Sequence, residues 1–222
     1  MSALPQHTPA MRAVTPSREV ELRRQLRDLQ DSLAAALLRC DQLEAQLQAG
    51  RQREQHHLHR AEHDDLTGLF GRAAFRERVQ RALADGAQVA VMMLDLDGFK
   101  LVNDSHGHAA GDEALRIIAA RIGHALRKGD VVGRLGGDEF ACLLRDVGSP
   151  DKLTALAGKL VASIASPMQV AGHRMSLPAS LGLAASPGDG VCVDTLLASA
   201  DAAMYRVKRL HAPAAQARAD GA

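Results

Sequence analysis

The sequence predicts an α/β fold in which helices flank a mixed central β-sheet, preceded by a long N-terminal coiled-coil helix. Three observations support this fold class. Apolar residues recur with heptad spacing near the N-terminus. A continuous apolar run at 88–94 is typical of a strand buried on both faces, and it alternates along the chain with helical patterns. Two further β-forming runs flank a Gly-Gly pair at 136–137, which predicts an antiparallel hairpin.

The composition is that of a soluble globular protein. Of 222 residues, 46% are hydrophobic and 24% are charged, which argues against disorder. The 27 Lys and Arg residues balance 26 Asp and Glu residues, so nothing favours nucleic acid or an anionic membrane as a partner. The N-terminus lacks a secretory signal, and no apolar run approaches the ~20 residues of a membrane span. We therefore expect a cytoplasmic protein without a membrane span.

Residues 15–61 are predicted to form a helical stalk and linker, after a disordered arm at 1–14. Thr15 suits the N-cap, and Pro16 suits the first helical position. The seam has alternating spacings of four and three and consists of Leu22, Leu26, Leu29, Leu33, Ala36, Cys40, Leu43 and Leu47. Flanking charges of both signs favour a homodimer through this coiled coil. A lone amphipathic helix that packs on its own domain is the alternative.

Three histidines follow the seam at helical spacing. His56, His59 and His63 share one helix face, which is an arrangement that could hold a metal ion. A solvated polar linker helix is the favoured interpretation, because the seam has already ended at Gly50.

Residues 62–211 are predicted to form the α/β domain, followed by a disordered tail at 212–222. A turn at Thr67 and Gly68 opens this domain. The later elements, in chain order, are a helix over 72–84, a strand over 88–94, a helix ending near 126, the hairpin around 136–137, a helix over 151–166, paired strands over 168–170 and 175–184, and a helix over 193–209.

Carboxylates follow two of the predicted strands. Asp95 and Asp97 come at the end of the buried strand, and Asp138 and Glu139 occupy the hairpin turn. If the two strands are neighbours, these carboxylates converge, which is unfavourable unless a cation neutralises them. Carboxylates beside a phosphate suit Mg²⁺, and the turn that ends at Lys100 offers amides and a positive charge to that phosphate. The alternative is that these residues only cap and close loops.

The run Gly-Gly-Asp-Glu-Phe at 136–140, preceded by Arg134, resembles the signature of the GGDEF family of diguanylate cyclases. The other matching motifs, in the family's order and spacing, are Asp-Asp-Leu-Thr-Gly-Leu at 64–69, Asp-Leu-Asp-Gly-Phe-Lys at 95–100, Asn-Asp at 103–104, Gly-His at 107–108, Gly-Asp at 111–112, and Ala200, Asp201, Tyr205 and Lys208. The resemblance covers about residues 62–210. It implies a nucleotide-cyclase-like fold with a ferredoxin-like core.

The resemblance implies a reaction in which two GTP molecules condense to cyclic di-GMP and release two pyrophosphates, between two facing domains. By position, Asp95, Asp138 and the carbonyl of Leu96 would bind Mg²⁺, or alternatively Mn²⁺. Asp138 or Glu139 would assist deprotonation of the attacking 3′-hydroxyl, and the sequence leaves open which of them does so.

The resemblance also assigns residues that would bind GTP. Asn103 and Asp112 would bind guanine. The triphosphate would be bound by a glycine turn and two lysines, namely Gly98, Phe99, Lys100 and Lys208. One departure affects this group. The Gly-Arg-Asn that often follows the lysine in the family is absent here, so a phosphate-binding arginine is missing, and Arg209 is a possible substitute.

Arg127 and Asp130 resemble the family's inhibitory site, where cyclic di-GMP binds away from the active site. Arg134 is expected to add to this site, so feedback inhibition by the product is predicted. A helix-terminal arginine and a loop aspartate without this role are the alternative. A regulatory protein is a possible partner of the stalk. A non-catalytic cyclic di-GMP receptor and a scaffold that acts through its stalk are the alternatives to an enzyme.

Overall fold

The computed structural model of the chain describes the backbone of residues 16–219 and, within it, the side chains of 18–48, 50 and 62–211. The chain forms two compact units, Met1–His56 and His57–Ala222. The predicted arm at 1–14 and the last three residues lie outside the described residues. His56 and His59 lie outside the described side chains, so the predicted histidine face stays a prediction.

The first unit contains residues 16–56 of helix α1 (Pro16–Glu62), which is 47 residues long and confirms the predicted long N-terminal helix. The leucines of the seam are 52–71% exposed along it. An apolar stripe of this length is unfavourable in water, and stripes of this kind mark interaction surfaces. The coiled coil itself stays a prediction.

The second unit contains the remaining elements. The helices are α2 (Arg72–Ala84), α3 (Phe99–His106), α4 (His108–Ala125), α5 (Pro150–Ala165) and α6 (Val193–Ala219). The strands are β1 (Phe70–Gly71), β2 (Val89–Leu96), β3 (Val131–Gly136), β4 (Glu139–Arg145), β5 (Met168–Val170), β6 (His173–Met175) and β7 (Ala179–Ala185). Among the residues described, none of the helices combines the length and the apolar character that a membrane span requires.

The central sheet has five strands in the order β1-β3-β4-β2-β7. β1 and β3 are parallel, and the other neighbours are antiparallel. Strands β5 and β6 form a separate hairpin. This arrangement confirms the predicted mixed sheet.

Strand β2 is buried along its whole length because both faces of the sheet are covered. Met92 and Leu94 pack with side chains of α3, α4 and α5, whereas Val91 and Met93 pack with side chains of α2 and α6. Alternate residues of a strand point to opposite faces, so a strand between two helical layers must be apolar at every position. This explains the continuous run that predicted the strand.

Two elements differ from the prediction in their secondary structure. Residues 99–106 form α3, which ends at Gly107 with φ 82°, where a turn without a helix was expected. The strand predicted over 175–184 is interrupted, because Pro178 has no N–H to donate to a ladder. β6 ends at Met175 and pairs with β5, whereas β7 begins at Ala179 and pairs with β2.

Helix α6 is longer than the predicted 193–209. It continues to Ala219, so the predicted disordered tail begins inside it. The segment after Arg209 is rich in alanine, the residue with the highest helix propensity. This length keeps residues up to 211 on a helix that crosses the sheet.

Strand β7 and helix α6 approach each other most closely at Gly182. A Cβ atom added at Gly182 would lie 2.1 Å from the Met204 nitrogen and 2.2 Å from the Ala200 oxygen. The helix therefore rests directly on the strand. Lys208 follows Met204 by about one helical turn, so this contact also fixes the distance of Lys208 from the sheet.

We expect Gly182→Ala to destabilise the domain by about 2–3 kcal/mol, because the new methyl group forces α6 away from β7. Urea denaturation measures the effect. The matched control is Gly158→Ala on the exposed side of α5, where an added Cβ meets nothing within 4 Å. The control should stabilise the protein by about 0.5–1 kcal/mol through helix propensity. Equal midpoints for the two variants would contradict the close contact.

Candidate functional site

The neighbouring strands β2 and β4 bring three carboxylates to one end of the sheet. Asp95 lies opposite Glu139 in the register of the two strands, and Asp138 occupies the turn just before Glu139. Asp95 is only 7% exposed. The strand adjacency on which the predicted acidic cluster depended is therefore present.

The backbone of the turn between β3 and β4 explains its glycines. Gly136 has φ 143° and Gly137 has φ 50°, and side-chain-bearing residues rarely adopt such angles. The ladder also shifts register between Arg134 and Gly136. The two glycines and the bulge allow the chain to reverse while Asp138 stays beside Asp95.

Lys208 is the cation nearest to these acids that the structure describes. Its Nζ donates a hydrogen bond of 2.6 Å to Asp95 Oδ1. Partial burial acts to lower the pKa of Lys208, but the hydrogen bond with Asp95 and its charge outweigh burial and raise the pKa. Lys208 therefore stays protonated beside Asp95.

Asp138 lies in a less favourable environment. Burial raises its pKa, and the negative charge of Asp95 raises it further. Lys208 and Arg134 oppose this shift but do not cancel it. The pair of Asp95 and Asp138 therefore has negative charge that a further cation would stabilise.

The two carboxylates of Asp95 and Asp138 fit a cation that needs few protein ligands. Within the described part of the chain, no three side chains of Asp, Glu, His or Cys are grouped to hold a metal ion. Two carboxylates with backbone, water and phosphate oxygens suit Mg²⁺, which seldom uses an all-protein cage. Leu96, whose carbonyl was the third predicted ligand, is the last residue of β2 and directly follows Asp95.

Arg134 stabilises the turn that carries Asp138 by hydrogen bonds to its backbone. Its Nε and Nη2 donate hydrogen bonds of 3.0 and 2.7 Å to the carbonyl of Gly137. Its Nη1 donates to both carboxylate oxygens of Asp64, at 3.0 and 3.1 Å. The side chain is 12% exposed. The guanidinium of Arg134 is thus hydrogen-bonded to Gly137, the residue before Asp138, and to Asp64. The structure does not bring Arg134 together with Arg127 and Asp130, contrary to expectation.

Asp64 is in turn held by its own turn. The backbone N–H and the hydroxyl of Thr67 donate to Asp64 Oδ1, at 2.9 and 2.7 Å. Partial burial acts to raise the pKa of Asp64, but the hydrogen bonds from Thr67 and Arg134 outweigh it and lower the pKa. The Asp-Asp-Leu-Thr-Gly-Leu motif thus forms a rigid, charged support for Arg134.

Arg72 is a site residue that was not predicted from the sequence. Its Nε donates to the carbonyl of Leu135 at 2.9 Å, and its Nη2 donates to Glu139 Oε2 at 3.2 Å. Glu139 thus has an arginine partner, whereas Asp138 lies against another carboxylate. The only sequence signal for Arg72 was its place three residues after the turn motif, and nothing there pointed to a hairpin 63 residues later.

The proposed phosphate turn lies at the start of α3. Gly98 is the N-cap of α3 with φ 80° and ψ 13°, a left-handed conformation that favours glycine. Phe99 is buried and Lys100 is exposed. Free N–H groups at a helix N-terminus favour an anion, so this turn and Lys100 are suited to phosphate.

Asn103 and Asp112 come together because α3 and α4 pack closely. A Cβ atom at Gly111 would lie 2.0 Å from Asn103 Oδ1, so no larger residue fits there. Asp112 directly follows Gly111, and both polar side chains are partly exposed. The structure thus brings the two predicted guanine-binding residues to one place.

Arg127 and Asp130 lie at the other end of β3. Asp130 precedes the first residue of this six-residue strand, and Asp138 follows its last by two positions, so they are on the order of 20 Å apart. The Asp130 side chain is 2% exposed and lies 3.5 Å from Arg127 Nε. Arg127 also donates to the carbonyl of Arg145. An adjoining cleft of ≈ 340 Å³ includes both residues and Lys152.

The fold and the site define a class of protein, an α/β domain with paired carboxylates, a lysine and a glycine turn at one end of its sheet. The family model described as diguanylate cyclase, GGDEF domain, matches residues 61–212. The chain therefore belongs to the GGDEF family of diguanylate cyclases, and the resemblance drawn from its motifs is confirmed.

Two curated relatives come from Pseudomonas aeruginosa. The diguanylate cyclase TpbB is 44% identical over 156 residues, which are 68% of this chain and 36% of TpbB. The bifunctional diguanylate cyclase/cyclic di-GMP phosphodiesterase MucR is 43% identical over 150 residues, which are 66% of this chain and 22% of MucR. The chain thus spans well under half of the length of these relatives.

Three solved structures are similar in fold. The GGDEF domain of TpbB has a TM-score of 0.64 at 43% identity, and the match covers 67% of this chain and 89% of the TpbB domain. The coiled coil and GGDEF domain of DgcB from Caulobacter crescentus, in complex with c-di-GMP, has a TM-score of 0.64 at 27% identity, with coverages of 82% and 94%. The diguanylate cyclase SiaD of P. aeruginosa, in complex with its activator SiaC, has a TM-score of 0.62 at 28% identity, with coverages of 86% and 76%.

We expect Asp138→Asn to raise the melting temperature by a few degrees at neutral pH in a buffer with a chelator. A carboxylate whose pKa is raised on folding destabilises the folded state above that pKa, and the amide removes this charge. The advantage should shrink as the pH falls below the raised pKa and should vanish below the ordinary value of 3.8, where the wild-type group is protonated in both states.

Thermal unfolding followed by circular dichroism across this pH range tests the expectation. The control is Glu77→Gln on the exposed surface of α2, which should leave the melting temperature unchanged. A variant Asp138→Asn that melts at or below the wild-type temperature at neutral pH would show that Asp138 is not strained by Asp95.

Proposed function

We propose that this chain is an active diguanylate cyclase that condenses two GTP molecules to cyclic di-GMP and releases two pyrophosphates. The observation that carries the proposal is the buried Asp95 beside Asp138, with Lys208 bound to the former. A receptor that only binds nucleotide has no need to keep two mutually repelling carboxylates at the end of a strand. Members of this family generally use divalent metal ions.

Asp95, Asp138 and the carbonyl of Leu96 would hold Mg²⁺, with Mn²⁺ as the alternative. The ion would neutralise charge on the α-phosphate and favour ionisation of the attacking 3′-hydroxyl. The chain's own residues orient the substrate. Gly98, Phe99, Lys100 and Lys208 are proposed to bind the β- and γ-phosphates, and Asn103 and Asp112 are proposed to bind guanine. Phosphoryl transfer depends mainly on this positioning and charge neutralisation.

The two candidate bases have different surroundings. Glu139 is ion-paired with Arg72 at 3.2 Å, which stabilises its charged form. Asp138 lies beside Asp95, and its pKa is raised. A cation bound between Asp95 and Asp138 would remove the repulsion that raises this pKa. The base is therefore proposed to be either Asp138 or Glu139, and Glu139 also orients the turn through Arg72.

The stalk is proposed to bring a second domain, which provides the other half of the active site, next to the first. One domain offers one triphosphate site, and the product contains two guanosine monophosphate units, so two domains must face each other. A homodimer through the α1 seam would raise the effective concentration of the domains. The length of chain covered by the DgcB and SiaD structures supports a role for α1 in this proposal. A regulatory protein that binds the stalk could change how the domains meet.

The cleft at Arg127 and Asp130 is proposed to bind the product and to inhibit turnover. Arg127 offers a guanidinium to a phosphate or a guanine, and Asp130 offers a carboxylate to guanine. Arg134 is not included in this site, since its guanidinium is engaged by Gly137 and Asp64. We further propose a cytoplasmic location, where GTP is available.

Purified protein incubated with GTP and Mg²⁺ should form cyclic di-GMP, detected by liquid chromatography and mass spectrometry. Asp138→Ala should reduce turnover by at least about a thousandfold because it removes a charged group at the reacting centre. Glu77→Ala on the surface of α2 is the matched loss of a carboxylate and should keep full activity.

The dimer is verified in the same preparation. Cys40 occupies the seam, so a short bis-maleimide should cross-link two chains in a Cys192→Ser background, where buried Cys142 does not compete. Cys40→Ser is the control and should give no cross-link. If cross-linked, folded protein makes no cyclic di-GMP, the enzyme proposal is wrong, and tight binding of added cyclic di-GMP would then favour a receptor.

We expect Arg127→Ala to relieve product inhibition, so that progress curves no longer level off as cyclic di-GMP accumulates. Arg134→Ala should act differently. It releases the Gly137 carbonyl and displaces Asp138, which should lower initial turnover by about a hundredfold without relieving inhibition. The assay compares initial rates with and without added cyclic di-GMP. Relief by Arg134→Ala, or an unchanged plateau for Arg127→Ala, would contradict this assignment.

A further inference from the structure

Asp97, Ser180 and His211 form a hydrogen-bonded network beside the acidic pair. Ser180 Oγ lies 2.8 and 3.1 Å from the two carboxylate oxygens of Asp97. His211 Nδ1 lies 3.1 Å from Asp97 Oδ2 and 3.3 Å from Ser180 Oγ. An ionised carboxylate only accepts hydrogen bonds, so His211 Nδ1 is the donor. Its hydrogen is shared between the oxygens of Asp97 and Ser180.

The contact between His211 and Asp97 resembles the neighbouring ion pair between Lys208 and Asp95. Lys208 and His211 are three residues apart on α6 and therefore lie on one face of the helix. Lys208 binds Asp95, and His211 binds Asp97, two residues later in the chain. Two successive acids are thus held by two donors from one helical turn.

Asp97 is also anchored through its backbone. Its N–H donates a hydrogen bond of 2.9 Å to the carbonyl of Pro178, which leads into β7. Its side chain is 13% exposed, whereas that of His211 is 49% exposed. The residue after Asp97 is Gly98, whose left-handed conformation starts α3. Movement of Asp97 would therefore move the turn that is proposed to receive the phosphates.

We infer that His211 is a positioning residue for the terminal phosphates of a bound nucleoside triphosphate. It acts through Asp97, whose carboxylate it holds in place together with Ser180. The turn at 98–100 and Lys208 are thereby kept at a fixed separation, because His211 and Lys208 belong to the same helix. This inference rests on the proposed function, since it assigns His211 to the triphosphate part of the GTP site.

The role belongs to the triphosphate and not to the base. Asn103 and Asp112 lie on α3 and α4 and make no described hydrogen bond to this network. Loss of His211 should therefore weaken binding of a triphosphate and leave binding of a monophosphate unchanged. A general loss of folding would weaken both equally.

Calorimetric titration in the presence of Mg²⁺ tests the inference with two probes, α,β-methylene-GTP and GMP. His211→Ala should weaken binding of the triphosphate analogue by about tenfold, the loss of one hydrogen bond to a charged group, with GMP affinity unchanged. His211→Asn should retain most of the affinity, since its amide N–H can take the place of Nδ1–H towards Asp97. Leu210→Ala, at a 77% exposed neighbouring position, is the control and should bind like wild type.

The outcomes separate this inference from the proposed function. Wild-type affinity in His211→Ala, or equal losses for both probes, would overturn it while cyclase activity stands. Full rescue by His211→Arg with none by His211→Asn would also overturn it, because the side chain would then contact phosphate directly. If wild-type protein binds the analogue and makes no cyclic di-GMP, the proposed function fails, and the selective loss in His211→Ala still supports the inference.

Discussion

The repulsion between Asp95 and Asp138 is the constraint on which the rest of the domain depends. Asp95 is nearly buried at the end of the central strand, and Asp138 is held beside it on a turn of two left-handed glycines. Like charges in a partly buried place are tolerated only where the surrounding structure fixes them. Lys208 neutralises one of them, and its position depends on α6 lying directly on Gly182. The electrostatics of the site thus depend on a backbone contact one helical turn away.

Two arginines fix the other side of the pair. Arg134 binds the carbonyl before Asp138 and the carboxylate of Asp64, and Arg72 binds the turn at Leu135 and Glu139. Asp64 and Arg72 belong to the segment that follows the end of α1 at Glu62. Asp64, which binds Arg134, and Arg72, which binds the turn directly, are therefore among the first residues of the domain. A change in how the chain enters the domain would reach Asp138 through two hydrogen-bonded steps.

The sequence predicted most of this fold because its strongest patterns are physical necessities. A strand covered on both faces must be apolar, so β2 was evident, and helices α2 and α5 carried clear apolar faces. The short α3 was missed because its eight residues contain a motif that first suggests a turn. The division of the strand at Pro178 was missed because apolar residues lie on both sides of the proline. Arg72 and the true partners of Arg134 were missed because their contacts depend on tertiary distances that no local spacing encodes.

The departure of the chain from its family after Lys208 has two effects. A glycine in that segment would favour the end of a helix, and this chain has Arg209, Leu210 and His211 instead. These residues continue α6, and the sequence has no arginine at the place where the family often has one. The same continuation keeps His211 on the face of Lys208, within reach of Asp97. The segment that lacks the family's arginine therefore supplies a hydrogen-bond donor to Asp97, which directly precedes the turn that is proposed to bind phosphate.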